Sequence, residues 1–343
     1  YKLVIIKKIY FLFHVINNYM NKSKSFDPLW VPIISQYQNT KNLELDEKLI
    51  QKHINWLDPH VKQFLVCGTT GDGWNLTDEL IINWLDILND NSLIKKDNKI
   101  LFGAFGKTTE DVLRRADIIE RYLVKNESSA GFFGLTLCAP VNENIKQKEI
   151  ISHFKRIIEN THLPISIYQL PQVVKCKIEP ETLKILKDNF QDRIQLFKDT
   201  SGEDDVVNSG INFNDLIFLR GAEENYFDHL KPNGKYDGFL LSSANCFGKI
   251  LREIYNNVAK GNFKDAEKMS EELSDIIRVS FSEGQKLDFG NPFSNVNKAF
   301  AHVLINKDNL SCKTCFDRNI PVEFLDDMFL LLTKYNLTKS LNV

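Results

Sequence analysis

Eight short apolar runs, separated by stretches with helical spacing, limit the possible folds of this chain more than any other feature. Polar or turn-forming residues follow each run. The predicted strands are residues 30–34, 64–67, 100–105, 132–138, 164–168, 194–198, 216–219 and 238–241. Eight strands that alternate with helices predict a (β/α)8 TIM barrel.

Helix signals lie between these runs. Residues 46–57 carry apolar side chains at helical spacing. Thr77 is predicted to cap the next helix, and Thr108 with Asp111 resembles a capping box. The helices after the sixth and seventh strands are predicted to be short.

The pattern changes after the eighth strand. Amphipathic helices are predicted at residues 250–259, 263–281, 296–304 and 322–332. We therefore expect the barrel to span residues 28–245 and a C-terminal helical extension, residues 246–343, to pack on it or to build an oligomer interface. Near the N-terminus, the apolar runs 3–6 and 9–13 are separated by Lys7 and Lys8, so the stretch is too short and too broken to span a bilayer. We expect residues 1–19 to lie outside the folded unit.

Composition excludes several classes of function. The net charge of the 343 residues is −2, which suggests no nucleic-acid partner. Cys312 and Cys315 form a lone CxxC, which is only a weak signal for a metal or redox site. We expect no metal, no membrane partner and a reducing, cytoplasmic location.

One residue stands out at the strand ends. Lys198 ends the sixth run, and Asp199 to Gly202 follow at once as turn-forming residues. In a parallel barrel this lysine would point its amine at the carboxyl-end mouth, where burial disfavours a charged amine and favours a nucleophilic one. A neutral amine can form an imine with a ketone, although a surface lysine at a strand end would show the same local pattern.

Other strand ends carry compatible groups. Thr69 and Thr70, flanked by glycines, can present N–H and hydroxyl groups to a carboxylate, and the Tyr168 phenol can transfer a proton. Taken singly, these could be a tight turn and a core aromatic residue, but together they suit 2-keto acid chemistry. The remaining polar or turn residues at strand ends are Thr200, Gly221, Glu223, Glu224 and Ser242.

Four ordered motifs resemble the pyruvate-dependent class I superfamily of dihydrodipicolinate synthase and N-acetylneuraminate lyase. They are Gly68-Thr-Thr-Gly-Asp72 with Leu76-Thr77, Tyr168-Gln-Leu-Pro171, Phe197-Lys-Asp-Thr-Ser-Gly202 and Gly238-Phe-Leu-Leu-Ser-Ser-Ala-Asn245. The resemblance covers roughly residues 28–305.

The resemblance implies a role for each residue. Lys198 would form the imine with pyruvate or with the pyruvoyl end of a substrate, and Tyr168 would relay protons. Thr69 and Thr70 would hold the carboxylate and orient the relay. The implied substrate-binding residues are Thr69, Thr70, Thr200, Gly221, Glu223, Glu224, Leu240 and Ser242. The resemblance also implies that no cofactor is needed and that the chain forms a homodimer or homotetramer.

Departures from the family pattern bear on the substrate. Synthases of the family carry an arginine shortly after the Y-x-x-P tyrosine, whereas residues 172–176 contain only Lys175. Gly221-Ala-Glu-Glu224 and Ser242 resemble the arrangement of members that cleave sugar acids, with glutamate in place of aspartate. We therefore favour a lyase that cleaves a 2-keto-3-deoxy sugar acid, sialic acid included. A condensing synthase and a non-catalytic barrel that serves as a binding module remain alternatives.

Two further departures concern the proton relay and the loop after the second strand. Val141 and Asn142 stand where family members usually have aromatic residues, and Asp72 replaces the usual glutamate. Either the relay is completed differently in this chain or its activity is reduced.

Overall fold

The structure, a computed structural model, describes residues 27–89, 93–95, 97–126, 131–309 and 311–340. The predicted N-terminal extension, residues 1–19, lies outside the described residues. Contacts divide the chain into two compact units. One contains residues 77–219, and the other contains residues 29–76 together with the chain from residue 220 onward.

The strands of the described residues form one closed barrel with the order β1 to β8. This confirms the predicted (β/α)8 TIM barrel. The strands are β1 Leu29–Pro32, β2 Gln63–Val66, β3 Lys99–Gly103, β4 Phe132–Cys138, β5 Ile165–Gln169, β6 Ile194–Asp199, β7 Ile217–Arg220 and β8 Gly238–Leu240.

The helices between the strands follow the predicted pattern within a few residues, except for a four-residue helix after β5 that was not predicted. They are α1 Glu47–Leu57, α2 Asp78–Leu88, α3 Thr109–Lys125, α4 Gln147–Asn160, α5 Pro171–Val174, α6 Pro180–Phe190, α7 Asp205–Asn208 and α8 Tyr226–His229. The helices after β6 and β7 each have four residues, as short as the sequence suggested.

Two of the predicted helix caps form. The Thr77 side chain accepts a hydrogen bond from Leu80 N and begins α2. Thr108 and Asp111 form a reciprocal capping box at the start of α3. These side chains satisfy backbone N–H groups that have no partner within the helix, which is why the helices begin at those positions.

The C-terminal extension is helical, as predicted. Its helices are α9 Ala244–Lys260, α10 Phe263–Gly284, α11 Pro292–Ile305, α12 Val322–Lys334 and α13 Leu337–Ser340. The first of them begins six residues earlier than expected, because the chain turns from β8 directly into a helix with a kink at Phe247. The domain boundaries and the oligomeric state stay predictions.

In the unit of residues 77–219, β4, β5 and β6 are parallel neighbours. Cys138 pairs with Tyr168, and Tyr168 pairs with Lys198. Every residue of β5 and β6 is buried, as expected for parallel strands covered on both faces. The register therefore sets these three side chains in one row.

In the other unit, one buried amide ties β1 to β8. The Asn245 side chain accepts a hydrogen bond from Ile34 N at 3.1 Å and donates to the carbonyl oxygens of Pro32 and Ser242, both at 2.9 Å. Asn245 is fully buried. Because the amide uses both its donor and its acceptor, it holds the carboxyl ends of the two strands in place.

The described residues contain neither a candidate membrane-spanning helix nor a candidate metal cluster. None of the helices there is both long enough and apolar enough to cross a membrane. In the same part of the chain, no group of three or more His, Cys, Asp or Glu side chains is placed to hold a metal ion.

A buried histidine supports the carboxyl end of β4. His153 Nε2 lies 3.0 Å from the Cys138 carbonyl oxygen, and Nδ1 lies 2.8 Å from Thr109 Oγ1. Burial lowers the pKa of His153 to about 4, against the opposing effect of the hydrogen bond to the Cys138 carbonyl. A neutral ring that donates from Nε2 and accepts the Thr109 hydroxyl proton at Nδ1 satisfies both contacts.

This histidine predicts a loss of stability in mild acid. The unfolded chain binds a proton at His153 near pH 6.5, whereas the folded chain does so only near pH 4. The contribution of the neutral His153 ring to the free energy of unfolding is therefore fully present above pH 6.5 and is lost as the pH falls towards 4. It amounts to about 3 kcal/mol for this residue. Urea unfolding of the wild type and His153→Gln at pH 7 and pH 4.5 should show a smaller drop for the variant. Parallel curves would contradict the prediction.

Candidate active site

Lys198 lies on β6 and is buried, with 3% of its surface exposed. The preceding Phe197 packs against Phe218, with ring centroids 5.9 Å apart. Because side chains alternate along a strand, Lys198 points to the opposite face of β6 from Phe197. The apolar run that forms β6 thus places the Lys198 amine in a buried position.

Tyr168 lies beside this amine. Lys198 Nζ is 4.1 Å from the centroid of the Tyr168 ring, so the amine sits over the ring face. Tyr168 is 3% exposed and packs against Phe105, with centroids 6.0 Å apart. The structure therefore brings the two predicted catalytic residues into contact, while their catalytic roles stay predictions.

The neighbouring thiol is not a competing nucleophile. Cys138 is the register partner of Tyr168 and is buried. Burial raises the pKa of the Cys138 thiol well above its usual value, and the charge of Lys198 only partly opposes this. The thiol stays protonated at neutral pH, so Cys138 serves as a small core residue.

Thr200 follows β6 and joins it to β5. Its backbone N and its hydroxyl both donate to the Gln169 carbonyl oxygen, at 3.1 and 2.7 Å. Gln172 Nε2 donates to the Thr200 carbonyl oxygen at 2.5 Å. Since its only hydroxyl proton is used in this way, Thr200 could meet a substrate through the lone pairs of its oxygen.

The loop after β2, in the other unit, needs its glycines. A side-chain Cβ at Gly73 would lie 1.8 Å from the Cys67 carbonyl oxygen, and one at Gly71 would lie 2.4 Å from the Ile33 carbonyl oxygen. No side chain fits there. This close packing shapes the backbone that presents Thr69, which is half-buried, and Thr70, which is 5% exposed.

Asp72 of this loop is the centre of a buried polar cluster. Its carboxylate accepts hydrogen bonds from Lys298 Nζ at 2.6 Å, Ser294 Oγ at 2.8 Å and the Tyr37 hydroxyl at 3.0 Å. Lys298 Nζ also lies 4.5 Å from the Tyr37 ring centroid. Burial, and then the Asp72 charge, raise the pKa of Tyr37 well above its usual value. The aspartate that departs from the family pattern is thus fully engaged within the protein.

Glu223, predicted to bind substrate hydroxyls, is also engaged within its own unit. The hydroxyls of Ser242 and Ser243 donate to its two oxygens, each at 2.6 Å, and Ser243 N donates at 3.0 Å. The Tyr226 hydroxyl adds a fourth hydrogen bond at 3.0 Å. Four hydrogen bonds fill the usual capacity of a carboxylate. A substrate would therefore meet Ser242 more readily than Glu223.

The other predicted substrate-binding residues occupy varied environments. Glu224 has a positive φ of 68° and forms an ion pair with Arg278 at 2.9 Å. Leu240 is fully buried on β8, opposite Trp30 in the register. Gly221 is half-buried directly after β7.

Unlike the buried Asp72, the other departures from the family pattern near β4 and β5 lie at exposed positions. Lys175 ends α5, and its Nζ donates to the Gln172 carbonyl oxygen at 2.8 Å. Val141 and Asn142 are exposed beyond β4. Residues 139–146 contain no aromatic side chain, and how the proton relay is completed in this chain stays a prediction.

The CxxC pair lies beside the Asp72 cluster. Cys312 Sγ lies 3.6 Å from the Lys298 carbonyl oxygen. Burial raises the pKa of both Cys312 and Cys315 to about 12. Both thiols are free and protonated at neutral pH, so they show no sign of nucleophilic reactivity.

Sequence reasoning missed several residues of these clusters. No sequence motif identifies Lys298, Ser294 or Tyr37, because their partner Asp72 is distant in the chain. Trp74 could have been noticed in the sequence, since it lies in the same loop, four positions after Thr70. Its indole Nε1 donates to Thr69 Oγ1 at 3.1 Å.

Comparison with known protein families identifies the family of this chain. The chain matches the dihydrodipicolinate synthetase family over residues 25–292. The chain belongs to this family. The family membership confirms both the predicted resemblance and the prediction of an enzyme of carbon–carbon bond chemistry.

Curated relatives match most of the chain at low identity. The 4-hydroxy-tetrahydrodipicolinate synthase of Staphylococcus haemolyticus (strain JCSC1435) is 26% identical over 297 residues, which cover 82% of this chain and 95% of that protein. The synthase of the same name from Methanocaldococcus jannaschii is 24% identical over 248 residues, covering 71% and 80%.

Solved structures share the fold. A prophage protein of E. coli K12 of the dihydrodipicolinic acid synthase family, solved in complex with pyruvate, superposes with a TM-score of 0.75 at 18% identity, covering 91% of this chain and all of that one. A variant of the 2-keto-3-deoxygluconate aldolase of Sulfolobus solfataricus gives a TM-score of 0.73 at 17% identity, covering 90% and 96%. At such identities the likeness concerns the fold alone.

Proposed function

We propose that this chain is a Schiff-base-forming aldolase that cleaves a 2-keto-3-deoxy sugar acid to pyruvate and an aldehyde. The observation that carries the proposal is the buried Lys198 amine, 4.1 Å from the centroid of the Tyr168 ring, on adjacent strands of a barrel of this family. Buried lysines beside a phenol suit covalent carbonyl chemistry better than they suit stability.

The proposed reaction begins with attack of the neutral Lys198 amine on the 2-keto carbon. The carbonyl oxygen is protonated to a hydroxyl, which leaves as water with a proton of the amine, and a protonated imine remains. The C3–C4 bond then breaks, and its electron pair passes to the imine nitrogen as an enamine forms. The C4 hydroxyl loses its proton and becomes the aldehyde. Protonation at C3 and hydrolysis by water release pyruvate and restore the amine.

Tyr168 is proposed to carry the protons in this sequence. Its ring lies against the reacting nitrogen, so its hydroxyl belongs to the immediate surroundings of the imine. It would accept the C4 hydroxyl proton and return a proton to C3. Thr69 and Thr70 keep the role that the family motif implies, as donors to the substrate carboxylate.

The substrate class is proposed from the chain's polar groups. Ser242 donates its only hydroxyl proton to Glu223, so its oxygen can accept a hydrogen bond from a substrate hydroxyl. Lys175, the possible stand-in for the arginine of the synthases, is exposed and lacks the planar guanidinium that grips a carboxylate with two parallel bonds. A polyol suits these groups better than a second carboxylate.

The decisive experiment traps the imine. Purified protein is incubated with pyruvate, reduced with borohydride, digested and mapped by mass spectrometry. We expect a reduced pyruvyl group on the peptide that contains Lys198, and none when pyruvate is omitted. Absence of the adduct would refute the imine chemistry and leave the non-catalytic barrel. The exposed Val141 and Asn142, which stand where family members usually have aromatic residues, favour that alternative.

A second candidate is condensation of pyruvate with an aldehyde by the same covalent chemistry. The curated relatives named 4-hydroxy-tetrahydrodipicolinate synthase favour it. Pyruvate release from a panel of 2-keto-3-deoxy sugar acids would support the lyase. Pyruvate consumption only in the presence of an aldehyde would support the synthase.

Ser242 gives a prediction about specificity. We expect Ser242→Ala to raise KM for the sugar acid about three- to tenfold, because one neutral hydrogen bond to the substrate is lost. Labelling of Lys198 by pyruvate alone should not change, because pyruvate has no distal hydroxyl.

Ser243→Ala is the matched control for this prediction. Ser243 makes the same 2.6 Å hydrogen bond to Glu223, but it is fully buried, whereas Ser242 is 7% exposed. Each variant removes one donor from Glu223, and only Ser242→Ala should raise KM. Equal effects of both variants would assign Ser242 to the Glu223 cluster alone.

A further inference from the structure

The loop that carries the two threonines contains one contact that the family motif does not assign. Trp74 Nε1 donates a hydrogen bond to Thr69 Oγ1 at 3.1 Å, and both residues are half-buried. Trp74 lies five positions after Thr69, so the loop folds back to bring its indole onto the hydroxyl.

The chemistry of the two groups sets the direction of this hydrogen bond. An indole N–H can only donate, whereas a threonine hydroxyl has one proton to donate and two lone pairs. Trp74 therefore occupies one lone pair of Oγ1. The hydroxyl proton of Thr69 has to point elsewhere, and no acceptor for it is found among the described residues.

The surrounding contacts hold this arrangement in place. Asn291 Nδ2 lies 3.5 Å from the Thr69 carbonyl oxygen, and Asp72 N donates to the same oxygen at 3.2 Å. Asp72 is anchored in turn by the buried Lys298. Two donors thus hold the Thr69 carbonyl oxygen, and the indole restricts the rotation of the Thr69 hydroxyl.

We propose that Trp74 is a positioning residue that turns the Thr69 hydroxyl into a dedicated hydrogen-bond donor for the carboxylate of the bound 2-keto acid. The inference rests on the proposed function, in which Thr69 meets that carboxylate. A carboxylate only accepts hydrogen bonds, so a hydroxyl whose proton is directed outward binds it better than a freely rotating one. Trp74 acts through Thr69 and does not touch the reacting atoms.

The test compares wild type, Trp74→Phe, Thr69→Val and the double variant. Each protein is incubated with increasing pyruvate and reduced with borohydride, and the labelled fraction of Lys198 is measured. For Trp74→Phe, which keeps an aromatic ring but loses the N–H, we expect the half-saturating pyruvate concentration to rise about three- to tenfold. The labelled fraction at saturation should stay the same.

The double variant separates positioning from packing. In the Thr69→Val background there is no hydroxyl to orient, so Trp74→Phe should cause no further rise. The same rise in both backgrounds, or no rise in the wild-type background, would overturn the proposal. Trp56→Phe is the matched control, because Trp56 is also half-buried and lies on α1 beside His53. It should leave the half-saturating concentration unchanged.

The result also distinguishes the inference from the function on which it rests. If wild-type Lys198 takes no label at any pyruvate concentration, the proposed imine chemistry fails. If the wild type is labelled and Trp74→Phe saturates at the same concentration, only the role of Trp74 fails.

Discussion

Replacing Lys198 with methionine should abolish the covalent adduct with pyruvate and lower kcat by about 10⁴-fold or more, on the scale seen when an enzyme loses its nucleophile. Methionine keeps an unbranched stem of similar length and lacks the amine. The buried position against the Tyr168 ring accepts such an apolar side chain. The measurements are pyruvate release from the sugar-acid substrate and borohydride trapping.

The matched control for this variant is Lys175→Met. Lys175 is exposed and its amine donates to the Gln172 carbonyl oxygen, so loss of the amine should leave the adduct intact. Thermal unfolding of both variants shows whether the fold survives. If Lys198→Met stays folded and retains wild-type turnover, Lys198 is not the nucleophile.

The largest expected effect on stability comes from another buried lysine, Lys298. Its side chain is 1% exposed, and the Asp72 side chain that it contacts is 3% exposed. Lys298→Met leaves the Asp72 carboxylate buried without its cation, and we expect the free energy of unfolding to fall by about 3–5 kcal/mol. Urea unfolding at pH 7 measures the change.

Two further variants identify the cause of that loss. Lys313→Met also removes a buried amine, on a side chain that is 6% exposed, but its partner Asp317 has a 79% exposed side chain. It leaves no buried charge and should cost only about 1–2 kcal/mol, mainly through the lost hydrogen bond to the Thr40 carbonyl. Combining Lys298→Met with Asp72→Asn removes both charges and should recover part of the stability.

Asparagine is the suitable replacement at position 72. Asp72 has a φ of 62°, a region that asparagine and aspartate tolerate better than other non-glycine residues. The neutral amide can still accept hydrogen bonds from Ser294 or Tyr37. If the double variant is as unstable as Lys298→Met, the loss stems from the packing of Lys298 and not from the unpaired carboxylate.

Much of the fold could be predicted from local patterns. Each apolar run identified a strand, and the alternation with helices identified the barrel, because the spacing of apolar side chains records which face of an element is buried. The caps at Thr77 and Thr108 could also be predicted, since a capping side chain and the N–H group that it satisfies are only a few residues apart. The start of α9 was predicted six residues too late: Ser243, the residue before it, donates its hydroxyl to Glu223 and makes no side-chain cap.

At some strand ends the sequence predicted the residues of the candidate site, but it did not predict which hydrogen bonds those residues make. Lys198 and Tyr168 could be named from the sequence, and the register of β5 and β6 then placed them side by side. The state of Glu223 could not be foreseen. A carboxylate looks available in a sequence until the donors around it are known, and here Ser242, Ser243 and Tyr226 occupy it.

The sequence by itself determined the barrel, the family, and the lysine and tyrosine on which the proposed chemistry depends. These are local features, which the spacing of apolar residues and short motifs indicate. Only the tertiary structure decided how Asp72, Thr69 and Glu223 are engaged. Lys298 stands 226 positions from Asp72 in the chain, and no local pattern links two such residues. The physical reason is that hydrogen-bond partners are chosen by where the folded elements meet.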